Sequence, residues 1–217
     1  MVTFAEAKGH NARNIRKALE LLVLVKPWEA DDPEVLTVHD ATGLVIPAGY
    51  LPVGMTTKSD GATYSRDMST SDVESHGYTE PVRKDITSDT NTLSLTMQES
   101  AMTAMGLYNG IDLSATTTDT DGNFYFDKAS RPAQPYFRVL AVARDGAGPE
   151  SVYVARWLPR AQVTEMGEQT WSEESEITYP VTFTAYLDTE FGTSMREIWG
   201  GPGLDHAAMG FTAPVTP

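Results

Sequence analysis

The chain has 217 residues, 41% of them hydrophobic and 21% charged, a balance that excludes intrinsic disorder for the whole and lets roughly 70% of the unfolded surface be buried. It contains no Cys, which removes disulfide frameworks, thiolate nucleophiles, zinc ribbons and iron–sulfur ligation together. Asp plus Glu number 30 against 16 Lys plus Arg, a formal charge of −14, and no basic stripe offers the counterion release on which DNA binding depends.

Charge is unevenly placed. Residues 1–26 hold Lys8, Arg13, Arg16, Lys17 and Lys26 against Glu6 and Glu20, which leaves 11 basic and 28 acidic side chains for the rest, a net of −17. Within this segment Asn11 is a helix cap, and Ile15, Ala18, Leu19 and Leu22 fall at i, i+3, i+4 and i+7, which predicts a short amphipathic helix. Leu21 to Val25 then has the continuous apolar character of a strand. That run is far shorter than the roughly 20 residues that span a bilayer, and Lys26-Pro27-Trp28-Glu29 is no signal-peptide cleavage site. A cytosolic product without a membrane segment is expected. Pro27 and the acidic cluster Glu29, Asp31, Asp32, Pro33, Glu34 break the chain.

Residues 35–60 read as a loop-rich excursion whose apolar centre runs from Leu44 to Met55. Its Pro and Gly prevent a regular helix, yet its aliphatic side chains and Tyr50 are costly to leave in water. The cover comes from elsewhere in the chain or from a neighbouring subunit. From Ala62 the pattern is β, with alternation over Tyr64–Met68, Val82–Thr87 and Thr92–Met97, and turn chemistry at Ser71-Asp72, Ser75-His76-Gly77 and Ser88-Asp89-Thr90-Asn91. Thr96-Met97-Gln98-Glu99 is a capping box, predicting a helix over 97–109 that carries Ala101, Met102, Met105 and Tyr108 on one face and stops at Asn109-Gly110. Residues 111–135 read as loop. Strands follow over Tyr136–Arg144, Ser151–Leu158 and Ile177–Leu187, the first two joined by the hairpin signal Asp145-Gly146-Ala147-Gly148-Pro149. Between Ala161 and Met195 stand seven acidic residues and no basic one.

No catalytic motif is present. His10, His39, His76 and His206 share no metal-ligand spacing, and there is no P-loop, G-x-S-x-G or H-E-x-x-H. Asp119, Asp121 and Asn123 imitate the start of a calcium loop, but Gly122 stands fourth where Gly is required sixth, and position twelve lacks Glu. No cofactor and no enzymatic activity are expected. A hydrolase drawing its carboxylates from the 30 acids is the weakest reading. A carbohydrate-binding or adhesive β-sandwich using Trp28, Trp157, Trp171 and Trp199 as stacking platforms is a stronger rival, although such aromatics more commonly anchor cores or interfaces.

Several stretches, in order, resemble one family. They are Asn11 to Leu19; Gly61 to Asp67, Asp72-Val73, Ser75-His76-Gly77 and Glu80 to Ser88; Thr92 to Glu99; Val163-Thr164-Glu165 through Trp171; Ile177 to Thr182; and Gly201-Pro202-Gly203. Together they are similar to the major tail tube proteins of long, non-contractile-tailed phages, especially those of actinobacteria. The resemblance implies a mainly β fold, a β-sandwich or barrel-like domain flanked by one helix, with six copies closing a ring and rings stacking into a tube through which DNA leaves the virion. It implies a single domain over 1–217: an N-terminal arm, short helix and strand at 1–34, a long inter-subunit loop at 35–60, a β-rich core at 61–200 and a C-terminal arm at 201–217. It also implies a tape measure protein in the lumen, tail terminator and distal tail proteins at the ends, and DNA passing without specific binding. On this basis Leu44, Val45, Ile46, Tyr50, Leu51, Val53, Met55 and Trp28 are the candidate oligomer interface. The net −17 of the body makes Asp72, Glu74, Asp85, Asp89, Glu173, Glu174 and Glu176 the candidate lumen-facing acids. Another virion component, a tail terminator or head-decoration protein, shares the same β-rich, Cys-free character.

Overall fold

A computed structural model describes residues 2–128, 130, 131, 133 and 135–212. In it the continuous apolar run near the N-terminus becomes the centre of a sheet. Strand β1 (Glu20–Pro27) buries Val23 and Val25 on one face and Leu24 on the other, which is why its sequence shows no alternation. Ahead of it stand a five-residue helix, α1 (Phe4–Lys8), and a 3-10 turn (Ala12–Asn14) whose Asn11 cap accepts a hydrogen bond from the Arg13 amide. The excursion after β1 contains a two-residue ladder, β2 (His39–Asp40) with β3 (Gly43–Leu44), and then β4 (Leu51–Pro52).

The remaining strands are β5 (Ala62–Val73), β6 (Arg83–Met97), β7 (Phe137–Asp145), β8 (Val152–Met166), β9 (Tyr179–Ala185) and β10 (Arg196–Gly200), with helix α2 (Met102–Asn109) between β6 and β7. Among the described residues they form one antiparallel sheet in the order β4-β1-β7-β8-β9-β6-β5, with β10 added to β8. Ala161 in β8 pairs with Phe137 and Ala185, so β9 lies on the edge of β8 away from β7. Beside the earlier half of β8, β10 occupies that same edge. The chain just after β4 bridges to β6, Thr56 opposite Met97. Residues 51–57 thereby touch both flanks and bring the strand order nearly full circle, as a barrel-like fold requires.

Two cores result. The first collects Val23, Val139, Leu158, Phe183, Leu93 and their neighbours from β1 and β6 through β9, with Ala104 and Leu107 of α2. The second lies on the opposite face of β1, β7, β8 and β10, where Leu24, Leu140, Trp157 and Ile198 are covered by Val35, Val38 and Tyr50 of the excursion. The outer face of β9 and its neighbours is hydroxyl-rich: Ser94 Oγ lies 2.9 Å from Thr182 Oγ1, and Thr164 Oγ1 2.7 Å from Thr184 Oγ1.

Five local expectations change, one of them at Ser71-Asp72, which continues β5 opposite Asp85 and Lys84 and is no turn. The helical stripe Ile15–Leu22 does not form: Leu19 donates its amide to the Arg144 carbonyl and Glu20 to Leu22 pair with β7, so ladder pairing overrides helical spacing. Ser88 to Asn91 is not a turn but the middle of β6, opposite Ser69 to Arg66, with a register shift after Ser69. A solvated two-stranded ribbon and a turn draw on the same short polar residues, which explains the confusion. The capping box is unused. Thr96 and Met97 continue β6, Glu99 accepts the Met55 amide at 2.7 Å, and α2 starts after Ala101 with no side-chain cap. Its stop is as expected, at left-handed Gly110 (φ 66°). Finally, β8 runs to Met166 rather than ending at Leu158.

The segment after β10 folds back on the β7–β8 turn. Gly203 donates to the Ser151 carbonyl, and a Cβ at Gly203 would collide with the Glu150 carbonyl. Asn14 reaches the Ala208 carbonyl from the N-terminal side at 2.7 Å. Residues 213–217 of the expected C-terminal arm lie outside the described residues.

Candidate assembly surface

Only residues 92–97 of β6 pair with β9. The earlier part of β6, with residues 66–73 of β5, extends beyond the sheet as a two-stranded ribbon in which each strand pairs with the other alone among the described residues. Among the described residues nothing buries its faces: from Arg66 to Asp89 every residue except Asp85 is exposed, and Met68, Val73, Tyr78, Val82 and Ile86 are 43–71% exposed.

 Short polar residues fill the remainder, and three ion pairs brace the ladder: Arg66 grips Asp89 with two hydrogen bonds at 2.8 and 2.6 Å, Arg83 meets Asp85 at 2.7 Å, and Lys84 meets Asp72 at 3.3 Å. The Arg66 guanidinium holds the Asp89 carboxyl below its ordinary range, and Asp89 in turn raises Arg66. An isolated hairpin is at best marginally stable in water, and this ribbon carries its apolar side chains in the open.

The excursion is divided between two fates. Val53 is fully buried in the first core, and Tyr50 packs on the second, where its hydroxyl accepts a hydrogen bond from Trp157 Nε1 at 2.9 Å. Burial pushes the Tyr50 hydroxyl up, against the effect of that hydrogen bond. Both side chains, expected at an oligomer interface, are instead used inside the chain, because the second face of β1, β7 and β8 needed a cover. Val45 is half-buried and donates its amide to Val38. Leu44, Ile46, Leu51 and Met55 remain 41–69% exposed.

Trp28 is also tied inward. Its Nε1 donates to Asp188 Oδ2 at 3.0 Å, and Arg160 stacks over its ring and that of Tyr136. Asp188 is 2% exposed and faces the fully buried Arg138, whose Nη2 donates to the Glu29 carbonyl at 2.8 Å and whose Nε lies 3.2 Å from Asp32. Lys26 completes the group at 2.5 Å from Asp32. This cluster clamps the acidic linker after β1 against the sheet, and the sequence showed only its acidic half.

The remaining candidate acids fall in two places, the ribbon turn and the segment between β8 and β9. Glu74 is in the ribbon turn, Glu173 and Glu174 are in the exposed segment between β8 and β9, and Glu176 accepts a hydrogen bond from Gln98 at 2.7 Å that lowers its carboxyl. Asp119 is engaged in its own turn, accepting from the side chain and amide of Asn123 and the amide of Asp121, which lowers its carboxyl. No group of three or more His, Asp or Glu able to hold a metal occurs among the described residues. No helix among them is long and apolar enough to cross a membrane. Of the four Trp, Trp157 is fully buried, whereas Trp171 is 78% exposed.

What the sequence reading missed is the ribbon's apolar set and a groove at its base. The groove, about 690 Å³, is floored by Leu21, Ala141, Ala143 and Val154 and walled by Tyr64 and Met55. Arg156 lies 4.2 Å above the Tyr64 ring; burial pushes the Tyr64 hydroxyl up despite that cation. The available signal was an apolar residue recurring among Ser, Thr and Asp in strands that otherwise read as fully solvated.

The model of the phage tail tube protein family matches residues 8–196. No curated protein matches the chain. Among solved structures it is similar to a chain of the anti-feeding prophage baseplate, at 14% identity and a TM-score of 0.44 over 85% of this chain and 95% of that one. A chain of the PVC sheath–tube complex, an extracellular contractile injection system in its extended state, is similar at 11% identity and a TM-score of 0.44, over 92% and 99% of the two chains. An Hcp protein gives 8% identity and a TM-score of 0.30 over 84% and 99%. On the family match over most of its length, the chain belongs to the phage tail tube proteins, a structural family of the virion tail and not an enzyme family.

Proposed function

We propose that this protein forms the tail tube of a long, non-contractile-tailed phage, six copies closing each ring and rings stacking head to tail into a conduit for DNA on its way to the host. The observation that carries the reading is the ribbon: a family member that extends half of its longest hairpin into solvent, with Met68 and Ile86 exposed on it, has a surface that only another protein can cover. The exposed remainder of the excursion, Leu44, Ile46, Leu51 and Met55, supplies a second patch for neighbouring copies. Synthesis in the host cytoplasm, a tape measure protein in the lumen, and terminator and distal tail proteins at the ends belong to the same reading.

Conduction is passive. DNA slides fastest past a wall that offers no cation to its phosphates. Of the acidic candidates for that wall, Asp72, Asp85 and Asp89 are matched by Lys84, Arg83 and Arg66 and Glu74 stands in the ribbon turn, so the wall is left to Glu173, Glu174 and Glu176. The test is to concentrate the purified chain, measure its mass by light scattering and image it by electron microscopy. Sixfold rings and stacked tubes are expected; a monomer at every concentration overturns the reading. In assembled virions, Glu173→Lys with Glu174→Lys should slow DNA ejection, and unchanged ejection removes those two from the lumen.

A further inference from the structure

The tip of the ribbon and the groove at its base are complementary, but one molecule cannot bring them together. Tyr64 stands in the groove wall and Val73 at the far end of the same strand. Nine residues of extended chain at about 3.3 Å each separate them by roughly 30 Å, and the β5–β6 ladder between them is paired throughout. The tip presents Val73, Tyr78 and Val82, which are 43%, 71% and 50% exposed. Its charges not engaged in an ion pair among the described residues are both acidic, Glu74 and Glu80.

The groove has the opposite character. Its floor of Leu21, Ala141, Ala143 and Val154 is continuous with the first core, of which Leu21 and Tyr64 form the margin. Met55 on its wall is 69% exposed. Lys58 lines the groove and Lys17 precedes the lining Ala18 in sequence; neither has an ion pair among the described residues. Arg156 is matched by Glu197 at 3.1 Å, and Asp60 accepts from Thr57. Of the charged residues lining the groove, Lys58 and Arg156 are cations and Asp60 is an acid, with Lys17 beside the lining in sequence, so the groove is net positive while the unpaired charges of the tip are glutamates.

We propose that the ribbon tip, residues 73–82, of one copy seats in the groove at the base of β5 in the next copy, with Tyr78 over the small-residue floor and Glu74 and Glu80 against Lys58 and Lys17. The proposal rests on the tail tube reading and names the contact through which copies join. Each chain carries one tip and one groove, and used head to tail the contact is heterologous, closing a ring or running on as an open stack; a reciprocal two-fold dimer counts against it. Charge complementarity fixes the register of the contact more than its strength.

The absence of Cys allows a direct test. Tyr78→Cys and Met55→Cys are made as separate variants, mixed, assembled and oxidised, with Ser172→Cys mixed with Tyr78→Cys as control. A disulfide-linked heterodimer in the first mixture only, and a covalent ladder from the double variant, are expected. Tubes that form without the 55–78 cross-link overturn the contact while leaving the tail tube reading in place; a chain that never assembles overturns both. A second measurement does not depend on cross-linking geometry. Glu74→Lys with Glu80→Lys should raise the concentration needed for assembly about fivefold, and Lys17→Glu with Lys58→Glu in the same chain should restore it. Reversal at the tip with no effect, or without rescue, counts against the contact. All four positions are exposed, so these variants keep the fold.

Discussion

Residues 92–97 of β6 lie between β5 and β9 and bury Leu93, Leu95 and Met97, whereas residues 83–89 of the same strand have β5 alone beside them and bury nothing. The hydrogen-bonded ladder continues from one region to the other, so backbone pairing does not distinguish them. The difference is the second layer: a strand backed by a core is held by apolar burial, and a strand without one is held by its turn, its bulge and its cross-strand ion pairs. Stability and assembly are thereby assigned to different parts of one hairpin. The body is stabilised by burial within the chain, and under the proposed assembly the ribbon's exposed faces are left for a partner.

Substitutions should separate the two regions sharply. Phe183→Ala opens a cavity at the centre of the first core and should cost about 3–5 kcal/mol in urea denaturation of the subunit. Arg138→Ala leaves Asp188 buried without its cation and should cost a similar amount, about 3–5 kcal/mol. Tyr50→Phe strands the buried Trp157 Nε1 and should cost about 1–3 kcal/mol by the same measurement; a neutral result would mean that the excursion is not a true cover for the second core. Met68→Ser with Ile86→Ser, in the ribbon, should change subunit stability by no more than about 0.5 kcal/mol while abolishing tubes in electron micrographs. Loss of subunit stability there would erase the distinction drawn between the two regions.

The smallest effect concerns the ribbon's ion pairs. Asp89 titrates below its ordinary value of 3.8 because Arg66 hydrogen-bonds its charged form. A carboxyl depressed on folding contributes stability at neutral pH that is lost as the pH falls from its ordinary value through the folded one. The group is exposed, so the contribution is small. NMR titration should place the Asp89 carboxyl below 3.8, and Arg66→Ala should return it to that value.

The strands of the body were legible because each carries a signal of burial. Leu21–Val25 is apolar on both faces and became the two-sided β1; Tyr179–Ala185 alternates cleanly and became β9 with one buried face. The ribbon was only half legible. Its middle, Ser88 to Asn91, has no buried face, and its residue types are those of a turn, so nothing local marks it as strand. The candidate interface was partly legible for a related reason. Sequence showed that the Leu44–Met55 stretch needs a cover, but not that Val53 and Tyr50 find theirs within the chain.

Composition and apolar pattern alone determined that this is a Cys-free, acidic, mainly β protein with a central buried strand, since those properties follow from side-chain chemistry and from the two-residue period of a strand. Tertiary structure decided which apolar residues are spent on the molecule's own cores and which stay available, because that depends on which sheet faces meet across more than a hundred residues of chain. It also set the tip of the ribbon some 30 Å from the groove beside its base, a separation fixed by the straightness of a paired ladder and by no residue taken singly.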